Sequence, residues 1–301
     1  MLARALDSDI WHSFRGSPIT MVSAVVALIC IAGAMLAPWL APSDPFDLAS
    51  LSLGDAFKPP RWSDGGDPAF PLGSDGQGRD VLSAIMYGGR VSLLVGFAAV
   101  LLSTLLGLGL GLLAGYVGGA LDAVLMRIAD IQLTFPGFLI ALLIDGVVRA
   151  VLPAEVHDRI ALLVVICAIG ISAWPSIART VRGSTLVERN KEYVLAARII
   201  GVPAWRIMLS HVLPNVLGPV LVIATLNLSG AILAEATLSF LGVGMPPTQP
   251  SLGTLIRIGN DFLLSGEWWI TLFPGAALVA LVLSVNLLGD WLRDALNPRL
   301  R

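Results

Sequence analysis

The sequence predicts an all-α integral membrane protein with six transmembrane helices, and three observations lead there. The 301-residue chain is 56% hydrophobic and only 13% charged, with a mean hydropathy of +0.82. A soluble domain carries about 25% charged residues. Crossing the hydrocarbon core takes about 20 mostly apolar residues, and windows at 19–40, 91–114, 128–148, 160–178, 216–240 and 268–288 supply them. The Lys and Arg residues between the windows are also unevenly shared. With the N-terminus in the cytoplasm, 12 lie inside and 7 outside (Lys58, Arg61, Arg79, Arg90, Arg149, Arg159, Arg257), and an excess of cytoplasmic basic residues sets orientation. Both termini are expected in the cytoplasm.

Residues 1–18 read as a cytoplasmic segment and 19–90 as a first anchor with a long outer loop. The first window exceeds the 7–15-residue apolar core of a signal peptide, so it reads as an uncleaved span. The outer loop is rich in Pro, Gly and Asp. Its SDGQGRD run lacks the alternating acids and distal Glu of a calcium loop. An amphipathic segment, DVLSAIMYGGR, follows as an interfacial helix with Asp80 as N-cap.

The core membrane region spans 91–290. Its first window and the residues just after it place Ser103, Gly107, Gly111, Gly115 and Gly119 at every fourth position, a face that lets another helix come close. That neighbour could lie within the chain or near a subunit interface. Pro136 and Pro274 are expected to kink their spans. Ionisable groups at membrane depth face a partner or a watery path. Candidates for the path are Asp130, Glu235 and the milder Asn227, with structural hydrogen bonding the competing role for Glu235, and Asn286 and Gln132 are further mild polar cases. Asp145, near an outer boundary, is expected to be solvated.

Several chemistries are excluded. The only lysines, Lys58 and Lys191, follow Phe57 and Asn190, so neither completes a P-loop, and no ATP hydrolysis is expected of this chain. The three histidines are scattered, and no zincin or nucleophile-elbow pattern is present. Cys30 and Cys167 lie in apolar runs without metal-ligand spacing and read as free thiols. The net charge of −2 argues against nucleic acid as a partner.

The cytoplasmic loop 179–215 carries the densest basic cluster. Asn190 could cap a helix with Tyr193, Ala196, Ala197 and Ile200 on one face and Lys191, Leu195 and Arg198 on another, while Arg189 reads as solvated. Gly201 would stop that helix, and Pro203 would start the next. So apolar a face has no obvious cover within six spans, which points to a groove on a soluble partner.

The run AARIIGVPAWRIMLSHVLPN resembles the cytoplasmic signature loop of ABC importer permeases, with Ala196, Ala197, Gly201, Leu213 and Pro214 on its positions. Leu195 stands where the general signature has Glu, and His211 where it has a hydrophobic residue. Such a Leu fits the peptide and nickel branch. LGSDGQGRDVLSAIMYGGRVSLLVG, AILAEATLSFLGVGMPP and NLLGDWLRDALNPRL are similar to the C-type subunit of that branch. The resemblance implies a type I importer (MetI-like) fold and half of a permease working by alternating access. It implies a B-type permease partner, two ABC ATPase subunits that bind ATP and Mg, and an external solute-binding protein. Coupling would fall to Tyr193, Leu195, Ala196, Ala197, Ile200 and Gly201. Peptide is the expected solute, with nickel chelates or oligosaccharides as alternatives. A secondary transporter would need inverted repeats and acid or base relays, and neither is evident.

Overall fold

A computed structural model describes residues 9–47 and 51–295. The outermost parts of both terminal segments, with Arg4, Arg299, Arg301 and the NPRL end of the last motif, lie outside the described residues.

Helix α1 (Asp9–Gly16) leads into α2 (Pro18–Met35), the first span. Ser17 caps α2 by accepting from the Thr20 N–H at 3.3 Å, and Pro18 follows where a missing donor costs nothing. The outer loop then winds through turns to α3 (Val81–Val117). Asp80 caps α3 by accepting from the Ser83 N–H at 2.7 Å. The expected interfacial segment and second span are one continuous 37-residue helix. Gly88 does not interrupt it, because a Cβ there would sit 3.3 Å from the Ser251 backbone, a close contact that holds the helix from outside.

The third window is not a straight span. Helices α4 (Gly119–Leu133) and α5 (Gly137–Val151) meet at 92°. Pro136 has no N–H to continue α4, and its ring drives the preceding residue out of helical geometry. Among the described residues, five helices are therefore long and apolar enough to cross a membrane, or six if the bent pair forms one span.

Helix α6 (Ala154–Glu188) contains the fourth span, and α7 (Glu192–Ile199) lies in the following loop. A single turn, Ala204–Ile207, and a wide π turn, Met208–Val212, lead into α8 (Leu213–Phe240). The π turn absorbs Pro214, whose ring would collide with the preceding turn of a regular helix. The short α9 (Leu252–Asn260) and long α10 (Trp269–Ala295) complete the described chain.

The small-residue face of α3 meets α6. A Cβ on Gly107 would lie 2.6 Å from Ile177 Cβ, on Gly111 2.6 Å from the Ala178 carbonyl oxygen, and on Gly115 2.7 Å from Thr185 Cβ. Bare backbone on one helix thus receives β-branched side chains of the other, inside a single chain.

Contacts at the two ends of α10 tie it to different parts of the chain. Trp269 donates to the Ser74 carbonyl at 3.1 Å, bringing the starts of α3 and α10 together. At the other end of α10, Trp291 stacks edge-on with Phe14 at 5.3 Å between ring centroids. Arg182 pairs with Asp122, and Arg189 reaches the C-terminus of α3.

Candidate functional site

Near the middle of three spans, a cavity of about 300 Å³ is lined by Ser103 of α3, Ser172 of α6 and Asn227 of α8, with Gly137 and Phe138 from the start of α5. No ionisable side chain lines it. The break between α4 and α5 therefore opens onto this cleft. Thr134, Phe135, Pro136, Gly137 and Phe138 are all exposed. Irregular backbone at membrane depth is not tolerated against lipid, because its polar groups need protein or water. This face of the chain must adjoin another subunit or a watery path.

Gln132 holds the break in place. Its amide donates to the carbonyls of Ile171 and Ser172 at 2.6 and 3.2 Å and accepts from the Trp174 indole at 3.1 Å. Asp130 lies on the same side, half exposed and paired with Arg179.

Glu235 is elsewhere. It is 0% exposed and accepts from the hydroxyls of Ser92 and Ser239, each at 2.7 Å. Those hydroxyls accept in turn from the backbone N–H groups of Leu252 (3.2 Å) and Met245 (3.0 Å). This network fastens α9 and its approach loop to α3 and α8. The expectation that Glu235 lines a path is corrected here, because no solute reaches a fully enclosed carboxylate. Its surroundings match the structural alternative.

Asp145 also departs from expectation. It is fully buried, 2.7 Å from Arg149 Nε and 3.3 Å from His157 Nε2. Arg149 reaches on to the Gly244 carbonyl at 3.4 Å. The position looks marginal in the sequence, but folding α5 back on α6 places it between two helices.

The cytoplasmic helix follows the sequence in outline and departs from it in register. Asn190 closes α6 by donating to the Leu186 carbonyl at 2.9 Å, and Lys191 takes the N-cap of α7. Gly201 has φ +79°, and the N–H groups of Gly201 and Val202 return to the carbonyls of Arg198 and Ala197, each at 3.0 Å. This is a Schellman stop, in which glycine adopts the left-handed conformation without Cβ strain.

The covered face is Val194 and Ala197, packed with Leu112, Tyr116, Ile207 and Val212. Ala197 is thus withdrawn as a contact for a partner, and the chain itself supplies the cover thought to be lacking. Leu195, Ala196, Ile199 and Ile200 face outward, with Ile199 and Ile200 86% and 78% exposed. Trp205, also exposed, extends the patch. Tyr193 is a brace: its hydroxyl donates to Glu188 and accepts from the Asn215 amide at 3.1 Å. Partial burial and then the Glu188 carboxylate push its phenol up to about 12, so it stays a donor.

Sequence reasoning missed Val194, Ile199 and Trp205, and it singled out Gln132 only as a mild polar residue at membrane depth. Val194 was legible as an apolar residue three positions before Ala197, on the same helix face. Gln132 was legible as a polar residue inside a span, but its contacts with α6 were not.

Residues 107–301 match the family described as "Binding-protein-dependent transport system inner membrane component", and residues 8–60 match the "N-terminal TM domain of oligopeptide transport permease C". The chain is 38% identical to the dipeptide transport system permease protein DppC of Haemophilus influenzae over 97% of this chain and 95% of that one. It is 41% identical to the Escherichia coli K12 protein of the same name, covering 97% and 93% of the two chains. The di/tripeptide transport system permease protein DppC of Pseudomonas aeruginosa is 37% identical, with coverages of 97% and 92%. Among solved structures, a chain of the MetNI methionine ABC transporter in an inward-facing conformation superposes with a TM-score of 0.53 at 21% identity. That superposition covers 69% of this chain and 93% of the other, and it shows the shared fold.

Proposed function

Because the chain belongs to the family of binding-protein-dependent transport system inner membrane components, we propose that it forms one half of the path by which an ATP-driven importer carries peptides across the bacterial inner membrane. The observation that carries this reading is the exposed helix break beside a mid-membrane cleft. Backbone of that kind requires a facing subunit or water, as the membrane half of an alternating-access importer would supply.

A B-type permease completes the path across the α4–α5 face. Two ATPase subunits bind ATP and Mg and seat against the outward face of α7, where Leu195, Ala196, Ile199, Ile200 and Trp205 form an apolar patch beyond the membrane. An exposed apolar cluster of this sort marks a binding surface. Ala197 and Gly201 shape the patch from behind, one by packing and one by ending the helix. A solute-binding protein delivers peptide on the side of the outer loop. The termini lie in the cytoplasm.

Reconstitution tests the whole reading. A tagged copy of this chain should co-purify with a second permease and ATPase subunits, and vesicles holding the complex should take up a labelled dipeptide only with ATP inside the ATPase compartment and binding protein on the opposite face. Uptake driven by an ion gradient without ATP would overturn it.

A further inference from the structure

A second cavity, of about 260 Å³, lies beside α3 just ahead of its apolar window. It is lined by Phe46 of the outer loop, Tyr87, Arg90 and Leu94 of α3, Leu162 of α6 and Gln249 ahead of α9. Arg90 and Gln249 are exposed and Tyr87 is partly so, which leaves all three within reach of a molecule outside the chain. Neither the Arg90 guanidinium nor the Tyr87 hydroxyl makes a hydrogen bond or ion pair among the described residues. Phe46 packs edge-on against the Tyr87 ring, 5.5 Å between centroids. No carboxylate lines the cavity; Asp44 bears electrostatically on Tyr87 from the outer loop but stands outside it. Beyond Arg90, the residues Leu94, Phe97, Leu101 and Leu105 are all exposed. Successive steps of four, three, four and four residues put them in line with Arg90 on one face of the helix. That face is turned away from the small residues that meet α6.

We propose that the cavity and the stripe together bind one membrane phospholipid, with its phosphodiester on Arg90 and an acyl chain along Leu94, Phe97, Leu101 and Leu105. The planar guanidinium offers paired N–H donors that match phosphate oxygens, and basic pockets beside spans take lipid headgroups. Tyr87 and Gln249 add donors at the same mouth. A cation without a partner at the head of an apolar stripe has the order of charge and hydrocarbon that a phospholipid has. The cavity lies below the size range of ligand pockets: it has room for a phosphodiester and glycerol, while the chains lie outside on the stripe. It shares no lining residue with the cleft at the helix break, so the lipid does not occupy the path of the solute. A bound headgroup bridges the outer loop, α3, α6 and the approach to α9.

The experiment uses the full chain, purified with its accompanying subunits and stripped of lipid in uncharged maltoside micelles. Two probes are added at equal mole fraction: phosphatidylglycerol with a photoreactive diazirine in one acyl chain, and diacylglycerol with the same chain and no phosphate. After illumination, mass spectrometry locates the labelled residues. Phosphatidylglycerol should label the stripe from Leu94 to Leu105 roughly fivefold more than diacylglycerol, the effect of one basic side chain on a lipid headgroup. Arg90→Gln should remove the difference, and Arg90→Lys should keep part of it. Val279 and Leu283, exposed apolar positions on α10, should show no preference between the probes in any of the three proteins. An excess of glycerol 3-phosphate or of trialanine should leave the labelling of the stripe unchanged. Equal labelling by the two probes, a preference that survives in Arg90→Gln, or one as large on α10 would each overturn the proposal. Displacement by glycerol 3-phosphate or trialanine would overturn it by making this a site for soluble anions or for the solute. Absence of label from either lipid would do so by showing that another subunit covers the stripe.

Discussion

Arg189 donates a hydrogen bond of 2.8 Å to the carbonyl of Gly115. This joins the last turn of α3 to the chain just ahead of α7. Terminal carbonyls of a helix lack internal partners and carry the negative end of its dipole, so a guanidinium is well placed there. The sequence suggested a solvated arginine, but the structure half-buries it. Arg189→Ala should therefore not be mild. It should cost about 1–2 kcal/mol of stability and weaken the response of ATP hydrolysis to loaded binding protein, with Arg189→Lys intermediate in both. Melting curves and ATPase assays on matched complexes check this; behaviour like the unmodified protein would sink it.

Two neighbouring substitutions separate packing from contact. Ala197→Glu puts a carboxylate into the cluster of Leu112, Val194 and Val212, an unpaired burial that costs several kcal/mol. Little assembled complex should be recovered. Ile200 is 78% exposed, so Ile200→Glu should assemble normally yet hydrolyse ATP without responding to loaded binding protein. Gly201→Val should fall between them, since a β-branched residue at φ +79° is strained by about 1–3 kcal/mol. Equal yields for Ala197→Glu and Ile200→Glu would contradict the observed register of α7.

Glu235 should behave as a fastener. Replacing it with Leu strands the hydroxyls of Ser92 and Ser239 and should lower stability by about 2–4 kcal/mol. Glu235→Gln keeps the shape and one acceptor, so it should lose less. For both variants, uptake per folded complex should equal that of the unmodified protein. A fall in specific uptake at full stability would show that the residue acts in transport.

Gly111→Leu drives a side chain into the Ala178 carbonyl and Val181, both 2.6 Å from where its Cβ would lie. Overpacking of this kind costs about 1–3 kcal/mol, and a backbone oxygen cannot move aside. A lower melting temperature and yield are expected; a neutral result would mean that α3 and α6 separate in the assembled complex.

Orientation is tested after replacing the two free cysteines, Cys30 and Cys167. A cysteine at Asp64 should react with an impermeant thiol reagent from outside intact cells, and one at Glu192 only after the membrane is opened. Both positions are exposed. The reverse pattern would invert the topology.

The spans were legible because apolar length is a property of local sequence. So were the Asp80 cap and the Gly201 stop, since each needs a residue type at one fixed position. What could not be read was which side of a helix its neighbours cover. Ala197 and Ile200 share a stripe on a helical wheel, yet Gly201 ends the helix at once and leaves Ile200 in the open. The burial of Asp145 and Glu235 depends on partners 12 and 143 residues away, and no periodicity reports such pairings. The 92° bend was visible only as a proline, and the contact of Gln132 with α6 beside it joins residues about 40 positions apart.

At Gly253 a Cβ would stand 2.3 Å from the Ala236 carbonyl oxygen, so α9 and α8 touch main chain to main chain. Side chains act as springs between most helices and absorb small displacements by changing rotamer. Here there is no spring. A machinist would call the joint free of backlash: where main chain meets main chain, no side chain stands between α8 and α9 to absorb a displacement.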